Sequence, residues 1–286
     1  MVSAALQPHS IVVIGSAPDL NRCWWRSSLP TLEQTCFLEV PQGGSLTLMH
    51  LLFLIAHGAG RVVILASSES GNAHLQRAVA EANLLCNKFL NTNELVTICT
   101  PEDLGSHLSQ DGSTELSFRP YCDLSFVNRR HELSSILGYL SAASESDITL
   151  EENEVRFIDT IVCDDERCTQ CLACLNSCKI ESLSADNATY SICWNGSLCV
   201  GCQSCVEACP EEALTYRGGA VLTADYFRPV EVSRADPMVC EGCGKVFGTK
   251  KSFEKVMAIL TAKQKTPAEH LHYCEDCRVV KLLEDQ

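Results

Sequence analysis

The chain has 286 residues, of which 46% are hydrophobic and 20% are charged, and these values are typical of a globular protein rather than a disordered one. That length is enough for two domains, or for one domain with smaller modules. A formal net charge of -14 excludes extensive binding to nucleic acid, because contacts to phosphates need clustered lysine and arginine.

The N-terminal 20 residues lack a basic start followed by an apolar run, and they contain no twin-arginine pair. They therefore do not have the pattern of an export signal. The most apolar stretch, residues 46–66, is interrupted by His50, His57 and Arg61, which a membrane span of about 20 residues would tolerate poorly. We expect a cytoplasmic protein with reduced thiols, without a membrane span, whose partners are other proteins.

Residues 1–142 alternate between strand and helix patterns. Short buried-strand runs predict strands over residues 11–15, 35–40, 61–66 and 95–99. Apolar residues near helical spacing predict helices over residues 46–57, 72–90 and 127–140. Together they predict an α/β domain with a mostly parallel sheet. The turn at Gly15 lacks the further glycines of a dinucleotide fingerprint, so we interpret it as an ordinary strand-to-helix turn.

The sequence SAASESDITLEENE, residues 141–154, is small, polar and acidic. It predicts a linker over residues 143–154. Five of the 19 cysteines precede residue 150 and fourteen follow it, so the metal chemistry is expected in the second half of the chain.

Two runs of four cysteines share the spacing Cys-x2-Cys-x2-Cys-x3-Cys. They are Cys168, Cys171, Cys174 and Cys178, then Cys199, Cys202, Cys205 and Cys209, the last followed by proline. Three thiolates on one tight loop can bind three corners of an iron-sulfur cube, and the fourth begins a short helix that leads to the other cube. The spacing therefore predicts crossed ligand sets: Cys168, Cys171, Cys174 and Cys209 for one cluster, and Cys199, Cys202, Cys205 and Cys178 for the other.

An internal repeat supports the same organisation. Shifting the chain by 31 residues superposes all eight cysteines, and also places Leu183 on Leu214 and Ile161 on Ile192. Each half is predicted as strand, cysteine loop, short helix and strand. Because the clusters would form much of the core, we expect such a module to fold poorly without iron.

Zinc is the alternative for these runs, but it needs only four ligands, which two Cys-x2-Cys knuckles usually supply. Residues 155–222 resemble the bacterial two-cluster ferredoxins. The resemblance implies a ferredoxin-like dicluster α+β module in which two 4Fe-4S clusters relay single electrons. One departure is Lys179, which follows Cys178 where that family usually has proline. We interpret Cys163 and Cys193, which lie outside both runs, as buried thiols near a cluster rather than as extra ligands.

Residues 223–286 contain a second kind of site, a small metal-knuckle segment. Its two Cys-x2-Cys knuckles are formed by Cys240, Cys243, Cys274 and Cys277. Four thiolates suffice for one tetrahedral site, and a helix is predicted between them over residues 251–262. Zinc is the first interpretation; a third 4Fe-4S cluster or a single iron also remains open. The spacing is similar to that of rubredoxin, which would imply a single iron, but glycine follows only the first knuckle.

Residues 38–40, 58–66 and 71–74, with the helix that follows, resemble the small iron-sulfur (delta) subunit of methyl-viologen-reducing hydrogenases. In that family the domain carries its own cluster and passes electrons to heterodisulfide reductase. Where the family has cysteines after the central strand, this chain has Ser67-Ser68-Glu69-Ser70. We therefore expect residues 1–142 to be a docking domain without a cluster. The five scattered cysteines are interpreted as core thiols: Cys23, Cys36, Cys86, Cys99 and Cys122.

No nucleotide-binding loop and no nucleophile-histidine signature with supporting context is recognisable in the sequence. The leading hypothesis is a non-catalytic electron-transfer subunit of a larger cytoplasmic oxidoreductase, such as one of hydrogenase, formate dehydrogenase or heterodisulfide-reductase type. The alternatives are an enzyme with a flavin or substrate site in the α/β domain, and a redox-sensing or assembly factor that binds a partner through the C-terminal knuckles.

Overall fold

The computed structural model describes residues 10–26, 35–67, 72–109, 128–144, 146–263 and 269–284. The chain divides into two compact units, Met1–Ile148 and Thr149–Gln286. This division falls inside the stretch that the sequence predicts as a linker.

The described part of the first unit alternates strands with helices. In chain order its elements are β1 (Ser10–Gly15), α1 (Ala17–Arg26), β2 (Thr35–Glu39), α2 (Leu48–Ala56), β3 (Ala59–Leu65), α3 (Ala73–Leu90), β4 (Val96–Cys99), α4 (Leu104–Ser109) and α5 (Arg129–Ser141). The strands form a parallel sheet in the order β2-β1-β3-β4. The predicted parallel α/β sheet is confirmed. Of the helix predicted over residues 127–140, residue 127 lies outside the described residues.

The sheet is covered on both faces, which explains its continuous apolar strands. All seven residues of β3 are buried. One face packs against α1 and α4 through a single apolar cluster of Val13, Leu20, Cys23, Val63, Leu65, Cys99 and Leu104. The alternate residues of β1 and β3 point to the opposite face, where α2 packs on β3 and contacts α3 and α5. Each fully buried Val, Leu or Ile side chain contributes about 1.5–3 kcal/mol to this core.

The second unit is built from short strands and short helices. In chain order its elements are β5 (Ile148–Leu150), β6 (Asp159–Cys163), α6 (Ala173–Ser177), β7 (Leu183–Asp186), β8 (Ser191–Trp194), α7 (Ser204–Glu207), β9 (Leu214–Gly218), β10 (Ala220–Leu222), β11 (Val230–Arg234), β12 (Pro237–Val239), β13 (Val246–Thr249), α8 (Lys250–Ala262) and α9 (Glu275–Glu284). Short 3-10 turns occur at Gly196–Leu198, Ala224–Phe227 and Glu269–His272.

The two repeated halves pair with each other in a crossed manner. The first strand of the first half, β6, pairs antiparallel with β9, the last strand of the second half. The inner strands β7 and β8 also pair antiparallel, and α6 contacts α7. The four apolar residues related by the repeat meet in one buried cluster: Ile161, Leu183, Ile192 and Leu214. The observed element order is therefore the one that the repeat predicts for each half.

Two pairings extend this unit beyond the predicted boundaries. Strand β5 pairs with β10, so part of the predicted linker is a strand. Strand β11 pairs antiparallel with β8, and the predicted boundary at residue 222 therefore falls inside a hydrogen-bonded unit. None of the helices in the described residues is long and apolar enough to cross a membrane.

Candidate metal centres

The two cysteine loops have the same unusual backbone. Residues with positive φ recur at the repeat spacing of 31: Gln170 (54°) and Gly201 (65°), Leu172 (61°) and Gln203 (62°), Glu181 (56°) and Glu212 (48°). In each loop two of these residues flank the middle cysteine, Cys171 or Cys202. Left-handed backbone at non-glycine residues is costly and tends to occur at functional sites. The loops therefore have a specific shape that the repeat preserves.

In the second run, backbone amides beside these residues point at cysteine sulfurs. The Gly201 amide donates to Cys199 Sγ at 3.5 Å, and the Ala213 amide donates to Cys209 Sγ at 3.3 Å. Hydrogen bonds of this kind stabilise a thiolate over a thiol. Thiolates are the form in which cysteine binds a metal.

One cavity brings together cysteines from both runs. It is lined by Cys168, Cys171, Cys174 and Cys209, which are the first three cysteines of the first run and the last cysteine of the second. The other lining side chains are mostly apolar, among them Leu183, Ile192 and Leu214. Burial, followed by the charge of Cys168, raises the pKa of Cys174 to about 11.

Of the remaining four cysteines, Cys178, Cys199 and Cys205 meet at one buried cluster, whereas Cys202 is exposed. Burial raises the pKa of Cys205 to about 12, and the next largest causes are the charges of Cys199 and Cys178. Thiolates crowded in this way repel one another, so they can ionise together only beside a positive centre such as a metal ion or an iron-sulfur core. The donor chemistry of both sets fits the predicted clusters.

A fifth cysteine, Cys163, lines the same cavity as the first set. A hydrogen bond with Cys168 is the largest cause that raises the pKa of Cys163, and the same bond is the largest cause that lowers the pKa of Cys168 to about 5. These opposite shifts favour a thiol at Cys163 beside a thiolate at Cys168. The interpretation of Cys163 as a nearby thiol rather than a ligand stays a prediction.

Comparison with known families concerns the second cysteine run. A family model described as a 4Fe-4S binding domain matches residues 192–215. The chain contains an iron-sulfur, ferredoxin-type domain. The match includes Cys199, Cys202, Cys205 and Cys209 of the second run. Among curated proteins, no significant match to the chain was found.

The ferredoxin-type domain includes residues that the cysteine spacing could not indicate. Val232, from β11, lines the cavity of the first set. Its neighbour Ser233 is 2% exposed and lies close enough to lower the pKa of Cys168. Both lie beyond the predicted boundary at residue 222, and only the pairing of β11 with β8 brings them to the site.

A separate cysteine site lies beyond the ferredoxin-type domain. The sulfurs of Cys240, Cys243, Cys274 and Cys277 all lie within 4.8 Å of one another. Cys240 and Cys243 lie in the turn between β12 and β13, whereas Cys274 immediately precedes α9 and Cys277 lies in its first turn. Gly244 has φ +74°, a conformation that explains the glycine after the first knuckle.

The sulfur separations at this site favour a single ion. A tetrahedral ion with metal-sulfur bonds of about 2.3 Å holds its sulfurs about 3.8 Å apart. The Cys243 and Cys274 sulfurs are 3.6 Å apart, close to that value. In a cubane cluster each thiolate binds a different iron at a corner of the cube, so the four sulfurs must stand further apart.

Backbone amides also support this site. Burial raises the pKa of Cys240, but hydrogen bonds from backbone amides outweigh burial and lower the pKa to about 6. The first of these donors is the Cys274 amide, whose nitrogen lies 3.2 Å from Cys240 Sγ. Several effects raise the pKa of Cys277 to about 12, and the largest of them is hydrogen bonding to Cys243. The nearby His272 is engaged elsewhere, since its Nδ1 lies 3.2 Å from Glu241 Oε1 and its ring packs edge-on against Phe253.

In the first unit, Ser67 follows β3 and begins the serine-rich segment that is predicted to bind no cluster. Its hydroxyl donates to the Asp19 carboxylate and accepts a 3.2 Å hydrogen bond from Arg22. Residues 68–70 lie outside the described residues. Of the scattered cysteines, Cys23, Cys86 and Cys99 are buried and Cys36 is half-buried, whereas Cys122 lies outside the described residues.

Proposed function

We propose that this chain is a cytoplasmic electron-transfer subunit that holds two 4Fe-4S clusters and serves a larger oxidoreductase. Bound clusters of this type supply one-electron transfer. The observation that carries the proposal is the shared cavity of Cys168, Cys171, Cys174 and Cys209. In a two-cluster ferredoxin, the fourth cysteine of each ligand set is expected to come from the other half of the repeat.

The chain's own residues give the two sets a common, water-poor surrounding. Ile161, Leu183, Ile192 and Leu214 form a buried cluster with Cys199 and Cys205, and Trp194 and Tyr216 pack against it. The charge of Cys174, from the first set, also contributes to the raised pKa of Cys205, from the second. Cys174 also packs against the buried cluster that contains Cys199 and Cys205, so the two sets lie close together, as electron relay requires.

The proposal assigns a single zinc ion to Cys240, Cys243, Cys274 and Cys277. The close sulfur separations and the amide donors support zinc or a single iron over a third cluster. Between the single ions we choose zinc, because glycine follows only one of the two knuckles. Its role would be structural, since four protein thiolates leave no open position for a substrate.

Iron and acid-labile sulfide analysis tests the two-cluster proposal directly. We expect about eight irons and about eight sulfides per anaerobically purified chain, because each cubane contains four of both. The dithionite-reduced protein should show the electron paramagnetic resonance (EPR) spectrum of two interacting 4Fe-4S clusters. Fewer than about six irons per chain would contradict the proposal.

The α/β unit is proposed as the docking domain for a partner of hydrogenase, formate dehydrogenase or heterodisulfide-reductase type. Its helix α1 presents Trp25 with 89% of the residue exposed, next to Trp24, which packs on Phe37 with 5.2 Å between ring centroids. Tryptophan is enriched among the residues that dominate protein interfaces. An exposed tryptophan on a rigid sheet-helix unit supports a docking role.

Replacing Trp25 with alanine is expected to weaken capture of the oxidoreductase subunit about 30-fold, because an interface hot spot is worth about 2 kcal/mol or more. The measurement is affinity purification from native extract followed by mass spectrometry of the captured subunits. Val221→Ala is the control, since Val221 is also exposed (48%) but belongs to the other unit. Equal capture by both variants would mean that the docking surface does not include Trp25. If the unmodified chain captured no oxidoreductase subunit, that result would count against the proposed oxidoreductase complex.

A further inference from the structure

The helix between the two C-terminal knuckles carries two lysines that reach the first cysteine set. Lys251 Nζ donates to Asp165 Oδ1 at 2.6 Å and to the Asp165 carbonyl at 2.8 Å. One helical turn later, Lys255 Nζ lies 2.6 Å from Glu211 Oε2. Residues four apart share one face of a helix, so α8 presents both ammonium groups in the same direction.

Both acceptors belong to the surroundings of the first set. Asp165 lies three residues before Cys168, and Glu211 lies two residues after Cys209 and lines the same cavity. In each pair one side chain is partly buried and the other is exposed: Lys251 is 25% and Asp165 53% exposed, and Glu211 is 17% and Lys255 41% exposed. Water therefore screens these pairs only in part. The lysine contacts of α8 are therefore directed at one ligand set.

Strand β11 adds a second contribution to this set. Its pairing with β8 shifts register between Glu231 and Ser233, as in a β-bulge. In a regular strand Val232 and Ser233 would point to opposite faces, but a bulge can turn neighbouring side chains toward one site. Val232 lines the cavity, Ser233 is buried, and the amide of the next residue, Arg234, donates to Asp165 Oδ1 at 3.1 Å. Within the described part of the chain the buried Ser233 hydroxyl has no hydrogen-bond partner, so its proton is available to a thiolate or sulfide of the first set.

We propose that Lys251 and Ser233 are positioning residues that raise the reduction potential of the cluster bound by Cys168, Cys171, Cys174 and Cys209, and that they leave the other cluster unaffected. The physical reason is that reduction adds negative charge, which a nearby cation and a hydrogen-bond donor stabilise. Lys251 is held at Asp165, three residues before Cys168, and Ser233 follows Val232, which lines the cavity of this set. This inference rests on the proposed two-cluster function.

The test is an EPR-monitored redox titration of the full chain, purified without oxygen. Lys251→Gln is expected to lower the midpoint of one cluster, because it leaves the Asp165 carboxylate unpaired. Asp165→Asn is expected to raise the midpoint of the same cluster, because it leaves the Lys251 charge uncompensated. Ser233→Ala should lower it by a smaller amount. The affected cluster should be the one that a Cys209 variant loses.

An electrostatic effect should shift the midpoint potential in opposite directions in the Lys251 and Asp165 variants. Structural damage to the site would shift both midpoints in the same direction. Lys250→Gln is the matched control, since Lys250 is the preceding residue and pairs instead with the exposed Asp236 at 3.2 Å. The inference is overturned if the two shifts have the same sign, if both clusters shift equally, or if Lys251→Gln does no more than Lys250→Gln. Failure of the two-cluster function would show separately, as an iron content below about six in the unmodified chain.

Discussion

Replacing Cys168 and Cys209 together with alanine is expected to leave one 4Fe-4S cluster, whereas replacing Cys199 and Cys209 together is expected to leave none. In the crossed assignment the first pair belongs to a single set, and the second pair removes one ligand from each set. Iron analysis should therefore find about four irons in the first double variant and nearly none in the second, since each cubane holds four. EPR of the reduced first variant should lose the spin coupling between clusters.

Cys163→Ala is the control for this experiment, because Cys163 lies in the same cavity without belonging to either set. It should retain about eight irons, although the loss of its hydrogen bond to Cys168 is expected to change the properties of that cluster. An uncrossed arrangement would reverse the two double variants, leaving about four irons after loss of Cys199 and Cys209. Equal losses in both variants would also contradict the assignment.

Replacing Cys274 with alanine is expected to remove about one zinc per chain and to leave the iron content near eight. Cys274 supplies both a buried thiol and the amide that donates to Cys240 Sγ, but only the thiol is lost in this variant. Structural zinc contributes roughly 10–16 kcal/mol of apparent binding free energy in small zinc-dependent folds. The region of β12, β13, α8 and α9 should therefore become sensitive to limited proteolysis, which can be followed together with elemental analysis by mass spectrometry.

His272→Ala is the matched control for the zinc experiment. His272 lies in the same segment, but it contacts Glu241 and Phe253 and is not among the four clustered ligands. This variant should keep its zinc. An unmodified chain with about twelve irons and no zinc would instead indicate a third cubane cluster, and about nine irons would indicate a single iron at the knuckles.

Local residue spacing carried most of the information about metal chemistry in this chain. A run such as Cys199 to Cys209 lies on one loop and one short helix, so its ligands are positioned by neighbours in sequence. The parallel α/β sheet was predictable for a similar reason, since residues 11–14 of β1 and 62–65 of β3 are short, continuous apolar runs. Strand β5 was missed because it has only three residues, of which Thr149 is exposed, and because exposed acidic residues, Asp147 and Glu151, flank it. It is recognisable only from its pairing with β10.

The sequence by itself determined the iron-sulfur character of the chain. Eight cysteines occur in two equally spaced runs, and this local spacing indicates cluster binding without knowledge of the tertiary structure. The tertiary structure decided which side chains surround each set. Cys209 joins the cavity of Cys168 through the pairing of β6 with β9, and Ser233 reaches it through the pairing of β11 with β8. Lys251 contacts Asp165 from a helix, although the two residues are 86 positions apart in the sequence. Such contacts depend on how strands pair and where helices pack, and no local pattern encodes them.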